Sequence, residues 1–214
     1  MRLKAHHYFS NPIVINHIAF ITVLSFSVLQ AVGQTDCVLQ KDQDGIKVFT
    51  CHAGDSPFKI IKAQFTLNAS IAELEKFILD AENYVTWQYN TYESNVIQII
   101  NSREIIYYAA IRAPWPVSDR DMVAHIKIIK QKENEGVVIE TRGMPGLIPE
   151  KDGRVRVPSS MATWTVKELG VNKLSVEYFI TIDPGGAVPA WMVNMVSAEA
   201  PYYSFKNLKA KLHH

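Results

Sequence analysis

Apolar and polar side chains alternate along most of this chain, and near its C-terminal end the period lengthens from two residues to between three and four. Alternation marks a strand with one buried face, whereas steps of three and four mark a helix with one apolar stripe. By that criterion Phe58 to Leu67, Val96 to Ile100, Glu104 to Ile111, Met122 to Lys130, Gly136 to Arg142, Val155 to Val157, Ala162 to Leu169 and Leu174 to Ile182 are strands. Ahead of them, Asp42-Gln43-Asp44-Gly45 supplies turn chemistry between two extended runs and predicts a hairpin from Cys37 to Cys51. Ser70 with Glu73 three residues on makes a capping box, and Ile71, Leu74, Phe77, Ile78 and Ala81 follow on one helical face. Tyr84 to Trp87 is a compact aromatic connector after that helix. From Pro189 to Leu212, residues such as Trp191, Met192, Met195, Tyr202, Phe205 and Leu208 recur at helical spacing, which predicts a long helix bent at Pro201. Strands around an early helix and before a terminal one make an α+β fold rather than a βαβ repeat.

The chain has 214 residues, 48% of them hydrophobic, which is enough for one domain with a sizeable core. Its first residues follow a different pattern. Arg2 and Lys4 precede an uncharged, mostly apolar run from Ile18 to Leu29, and Ala31-Val32-Gly33 puts small residues where a signal peptidase reads them. Residues 1–33 are therefore expected to be a cleavable signal peptide and 34–214 the domain, an uncleaved anchor being the alternative. The apolar run is shorter than the ~20 residues a bilayer span needs. Export places the protein in the periplasm or outside the cell.

Without residues 1–33 the chain keeps 20 basic and 21 acidic side chains, a net charge of −1. Their dispersal offers no footprint for nucleic acid. Hairpin partners whose numbers sum to 88 set Cys37 opposite Cys51, Leu39 opposite Phe49 and Lys41 opposite Lys47, so a cross-strand disulfide is expected in an exported protein. Two separate buried thiols are the alternative. Two cysteines do not build a metal site, and the chain has no HExxH, no GxSxG and no glycine-rich nucleotide loop. No catalytic residue, metal ligand or cofactor is predicted.

The stretch Ala113-Pro114-Trp115-Pro116-Val117-Ser118-Asp119-Arg120-Asp121-Met122-Val123 is the most distinctive in the chain: two prolines stiffen a turn that feeds three charged residues into an apolar strand. Three other segments accompany it: Asp44-Gly45-Ile46-Lys47-Val48, Asp80 through Tyr84 to Trp87, and Asp183-Pro184-Gly185-Gly186 through Pro189-Ala190-Trp191. In this order and spacing they resemble the START (StAR-related lipid-transfer) family over approximately residues 37 to 212. The resemblance implies a helix-grip fold, in which a curved antiparallel sheet surrounds a hydrophobic cavity closed by a long C-terminal helix. It also implies binding or carriage of a lipid, sterol or other apolar molecule, without covalent chemistry, with transient membrane contact and as a monomer. Some animal members carry facing acidic and basic residues in the tunnel; these positions fall near Tyr107 and Ile126 here, and neither is charged.

Within that frame Tyr107, Trp164, Phe179, Trp191, Met192 and Met195 are candidate ligand contacts, with Leu147 as a seventh. Aromatic rings and unbranched thioethers suit an apolar ligand of variable shape, although the same residues at the same spacing also describe plain core. Tyr107 adds a phenol that can meet a lone ligand hydroxyl. Leu147 and Ile148, in the loop Gly143 to Glu150, form either a lid or membrane-touching tip or an ordinary packed loop. Arg120 with Asp121 is a structural clasp pinning the Pro-Trp-Pro turn, or else a head-group contact. The other functional class open to this fold is a cyclase, aromatase or hydrolase acting inside the cavity, which calls for a titratable pair such as His125 or Arg112 beside Tyr107. A sensor or scaffold that keeps its ligand is the third.

Overall fold

The computed structural model describes residues 36–52, 54, 56–131 and 136–212. The expected signal segment, residues 1–33, lies outside the described residues. A ten-stranded sheet dominates the fold: β1 (Cys37–Gln43), β2 (Ile46–Cys51), β3 (Ile60–Leu67), β4 (Thr91–Asn101), β5 (Glu104–Ile111), β6 (Asp119–Lys130), β7 (Val137–Gly143), β8 (Arg154–Arg156), β9 (Ser159–Gly170) and β10 (Lys173–Asp183). The helices are α1 (Ile71–Leu79), α2 (Ala190–Val196) and α3 (Glu199–Lys211), with a 3-10 helix at Ala81–Thr86. Strand order is β1-β2-β3-β10-β9-β7-β6-β5-β4, with β8 beside the start of β6 as a parallel partner. All other neighbours are antiparallel.

Local chemistry accounts for the element boundaries. The hairpin turns on Asp44 and Gly45, both with positive φ (55° and 68°), which suits the right-handed twist of the flanking strands. Cys37 pairs with Cys51 and Leu39 with Phe49, but a bulge between Leu39 and Lys41 shifts the register, so Lys41 meets Val48 rather than Lys47. The disulfide Cys37–Cys51 is formed. Ser70 and Glu73 cap α1 reciprocally, the Ser70 amide donating to Glu73 Oε2 at 2.7 Å and the Glu73 amide to Ser70 Oγ at 3.3 Å.

The terminal helix is broken rather than bent. Proline in a helix collides with the carbonyl four residues earlier, which for Pro201 belongs to Ser197, and the helix is interrupted there between α2 and α3. Pro201 then lies in the first turn of α3, where its missing N–H leaves no bond unmade.

Alternation assigns each side chain to one face. On the concave face Ile46, Val48, Ala63, Phe65, Tyr107, Ala109, Ile126, Ile139, Trp164, Val166, Leu174 and Val176 join Leu74 and Ile78 of α1 and Phe205 and Leu208 of α3 in one core. On the convex face a smaller cluster of Ile106, Tyr108, Ala110 and Val123 is covered by Tyr92, Met144 and Ile148.

Candidate ligand-binding site

Aromatic rings concentrate on the concave side. Trp164 of β9 stands edge-on to Tyr178 of β10 at 5.1 Å and to Phe205 of α3 at 5.2 Å, and Phe205 stacks on Phe65 of β3 at 4.5 Å. Farther along, Tyr107 of β5 meets Tyr84 edge-on at 5.1 Å, and Tyr84 meets Trp87 at 5.4 Å. Tyr84 donates its hydroxyl to the Ile78 carbonyl. Among the described residues, the hydroxyls of Tyr107 and Tyr178 have no hydrogen-bond partner. Burial pushes both phenols far above the ordinary tyrosine range, and Tyr107 adds to the effect at Tyr178. Tyr178 nonetheless keeps accessible surface, as do Ile180, Met122, Val96 and Phe77, which pack against the same core. Among the described residues the buried charged side chains are Arg120, Asp121 and Arg156.

Helix α2 is only partly packed, and Asn194 ties it to the loop before β3, accepting from the Lys59 amide at 3.2 Å and donating to the Pro57 carbonyl at 3.1 Å. Its sequence Ala190-Trp-Met-Val-Asn-Met-Val196 is almost wholly apolar, yet none of its described side chains is fully buried. α3, by contrast, packs on β2 and β3 through Tyr202, Phe205 and Leu208.

Of the ligand contacts expected from sequence, Tyr107 and Trp164 are on the concave face. Met192 is half-buried on α2, and the side chain of Met195 lies outside what is described. Phe179 is a correction: the inward parity of β10 runs through Leu174, Val176, Tyr178 and Ile180, so Phe179 points to the convex face, where the Lys62 ammonium sits 5.0 Å from its ring centroid. Its neighbour Tyr178 takes the inward place. Trp191 is 64% exposed, and Leu147 is 44% exposed on a loop whose Met144 and Ile148 pack on the convex cluster. That loop covers the outside of β5 and β6 because Ile106, Tyr108 and Val123 leave an apolar patch there; it is no lid over the concave side. His125 alternates with inward Ala124 and Ile126, faces outward and bonds Glu104 at 2.8 Å; Arg112 lies over the convex-face Tyr92 ring at 5.3 Å. Neither of the two stands beside Tyr107.

Two arginines hold the ends of this framework. Arg120, at the start of β6, donates to the carbonyls of Ser118, Pro184 (3.3 Å) and Gly185 (3.1 Å), tying the Pro-Trp-Pro segment to the turn that leads into α2. Gly185 has φ 66°, and a Cβ there would stand 2.9 Å from Pro158. Asp121, one residue on, faces the opposite way and pairs bidentately with Arg156 of β8 at 2.8 and 3.1 Å. Arg156 also donates to the carbonyls of Pro145, Ile148 and Pro149, fastening the convex loop. Burial alone would raise the Asp121 carboxyl; the hydrogen bonds and charge of Arg156 outweigh it and hold the group below its ordinary value. The expectation of a clasp at Arg120 and Asp121 thus divides into two, and Arg120 is anchored by carbonyls rather than by an aspartate.

Trp115 is 92% exposed at the tip of the Pro-Trp-Pro turn. It extends from the segment that Arg120 joins to the turn before Trp191. Polar grooves of about 160 and 470 Å³ lie on the convex side, the first among His125, Lys127, Arg142 and Met161, the second among Lys47, Gln64, Lys167 and Glu177. Neither adjoins the aromatic interior. No described helix is long and apolar enough to cross a membrane.

A curved antiparallel sheet gripping a C-terminal helix, with an aromatic concave face, defines a helix-grip domain. A family model, START domain, matches residues 33–214, and the chain belongs to that family. It is similar to an uncharacterised protein of Pseudomonas aeruginosa, 30% identical over 88% of this chain and 94% of the relative. It is also similar to the bovine phosphatidylcholine transfer protein, 25% identical over 50% of this chain and 52% of that one. Among solved structures, a STAR-related lipid transfer protein from Xanthomonas axonopodis superposes with a TM-score of 0.75 at 28% identity, covering 83% of this chain and 99% of that one.

Proposed function

We propose that this protein binds a lipid or other apolar small molecule on the concave side of its sheet and carries it between membranes, without covalent chemistry. The observation that carries the reading is the concave aromatic face, joined by an apolar helix, α2, with no fully buried described residue. An acyl chain placed there gains about 0.8 kcal/mol per buried methylene, enough for firm binding without a charged anchor. The names of relatives as lipid transfer proteins support the same class of ligand. Transient membrane contact through Trp115 and Trp191 would let the ligand enter and leave, since an indole is at home at a membrane interface. The disulfide supports an exported, periplasmic or secreted protein, with residues 1–33 as its cleaved signal. The working unit in this proposal is a monomer.

The test is uptake and exchange. Delipidated protein is expected to take up a fluorescent acyl lipid in one-to-one stoichiometry by native mass spectrometry and to move it from donor to acceptor vesicles. Absence of uptake would sink the proposal; uptake without exchange would leave a sensor or scaffold in its place.

A further inference from the structure

Resting on the concave site just proposed, we infer that the buried end of its ligand is uncharged and carries a hydroxyl or carbonyl group, held by the phenols of Tyr107 and Tyr178. Three observations converge on this ligand class. The first is the charge inventory. Among the described residues the buried charged side chains are Arg120, Asp121 and Arg156, the last two paired with each other on the convex side, so a carboxylate, phosphate or ammonium moved into the aromatic interior would lose its water without gaining a counter-charge there. Arg120 shares the inward parity of Met122, but it stands at the entrance of β6 with its guanidinium committed to three backbone carbonyls. Three of its five N–H donors are held by the backbone there.

The second observation is hydrogen-bonding capacity left unused. Tyr107 is 4% exposed, and a buried phenol ordinarily finds a partner. Among the described residues neither Tyr107 nor Tyr178 does, whereas Tyr84, in the same aromatic cluster, bonds the Ile78 carbonyl. The buried indole Nε1 of Trp87 is unpartnered as well. Glu75 Oε1 on α1 is also buried and unpartnered, but that carboxylate meets Arg103 through Oε2 at 3.4 Å; the phenols and the indole are neutral, and burial keeps the phenols protonated at any physiological pH. A phenol both donates and accepts, so either can serve a ligand hydroxyl or donate to a carbonyl.

The third is position. Tyr107 stands in one aromatic group with Tyr84 and Trp87, and Tyr178 in another with Trp164 and Phe205, each ring fixed by its edge-on neighbours. Packing therefore sets the direction of each hydroxyl before a ligand arrives.

The experiment gives delipidated protein equimolar cetyl alcohol, palmitate, cetyltrimethylammonium or hexadecane at about pH 8, where palmitate is ionised, and reads occupancy by native mass spectrometry. Cetyl alcohol is expected to exceed both ions at least tenfold. The variant Tyr107→Phe with Tyr178→Phe is expected to bind cetyl alcohol roughly three- to tenfold more weakly and hexadecane unchanged, the loss of one or two hydrogen bonds. If either ion binds as well as the alcohol, or if the double variant keeps the full preference for alcohol over hexadecane, the inference is wrong while the concave site stands. If none of the four binds, the site itself is wrong. The ligand series on unaltered protein decides the charge question even if the double variant does not fold.

Discussion

Arg120 and Asp121 show how much turns on a single step along a strand. Side by side in sequence, they read as one ion-paired unit; in a strand, successive side chains leave by opposite faces, and the two cannot share a partner. Arg120 goes to the turn before α2, and Asp121 to Arg156, 35 residues away in sequence. Nothing in the run of residues around 120 announces Arg156, because its partners are brought to it by the parallel pairing of β8 with β6. Its guanidinium bonds one carboxylate and three carbonyls, almost without solvent. Arg156→Met strands a buried carboxylate and is expected to cost about 3–5 kcal/mol in denaturant unfolding, against a smaller loss when Asp121→Asn accompanies it. Equal losses for single and double variants would show that the pair is not coupled. The pair also sets an acid limb: the Asp121 carboxyl is depressed from its usual 3.8, so its contribution is complete above that value and disappears as pH falls through the lower folded-state one. The stability gap between the unaltered protein and Asp121→Asn should therefore close below about pH 4 and stay constant above it.

At the level of elements the hydrophobic pattern carries far, and its failures have local causes. The period-two runs locate every strand from β3 onward, and the Ser70–Glu73 box locates the start of α1. Register is less legible. A bulge adds one residue to β1 without any mark in composition, and pairing beyond Leu39 moves by one position. On β10 both Tyr178 and Phe179 are aromatic, so composition alone does not decide which faces inward; the run Leu174, Val176, Tyr178, Ile180 does. Sequence alone does not decide between lid and packing for the loop around Leu147, because the apolar patch beneath it comes from residues of β5 and β6 that alternation sets on the face away from the main core. The Cys37–Cys51 link belongs to this scale too, since it ties edge strand β1 to β2 across a sequence separation of 14. Closing such a loop is worth about 3 kcal/mol, or roughly 6–12 °C of Tm for a domain of this size. Replacing both cysteines with serine is expected to lower Tm within that range while leaving lipid uptake intact, because β1 contributes no ring to the concave cluster. A Tm unchanged by the replacement would mean that β1 detaches independently of the core.

For the whole molecule, what matters is where apolar surface is left uncovered. The sheet has a filled convex patch and an aromatic concave side, and the two tryptophans that pack on neither, Trp115 and Trp191, extend from segments joined by the Arg120 guanidinium. The domain has little net charge to draw it to an anionic surface, so the bilayer contact proposed above is assigned to exposed apolar side chains, these two indoles first. Each contributes on the order of 2 kcal/mol when its ring leaves water. Trp115→Ala with Trp191→Ala should then slow lipid exchange between vesicles by at least tenfold. Both side chains are exposed in the free protein, so thermal stability should change by no more than about 0.5 kcal/mol per site. Ligand already bound should stay bound, since neither ring is part of the concave core. The salt dependence of exchange separates this mechanism from an electrostatic one: contact through indoles survives 0.5 M sodium chloride, where charge attraction is screened to within about 5 Å. Exchange that collapses in salt, or that the double variant performs at full rate, would remove both tryptophans from the path of the ligand.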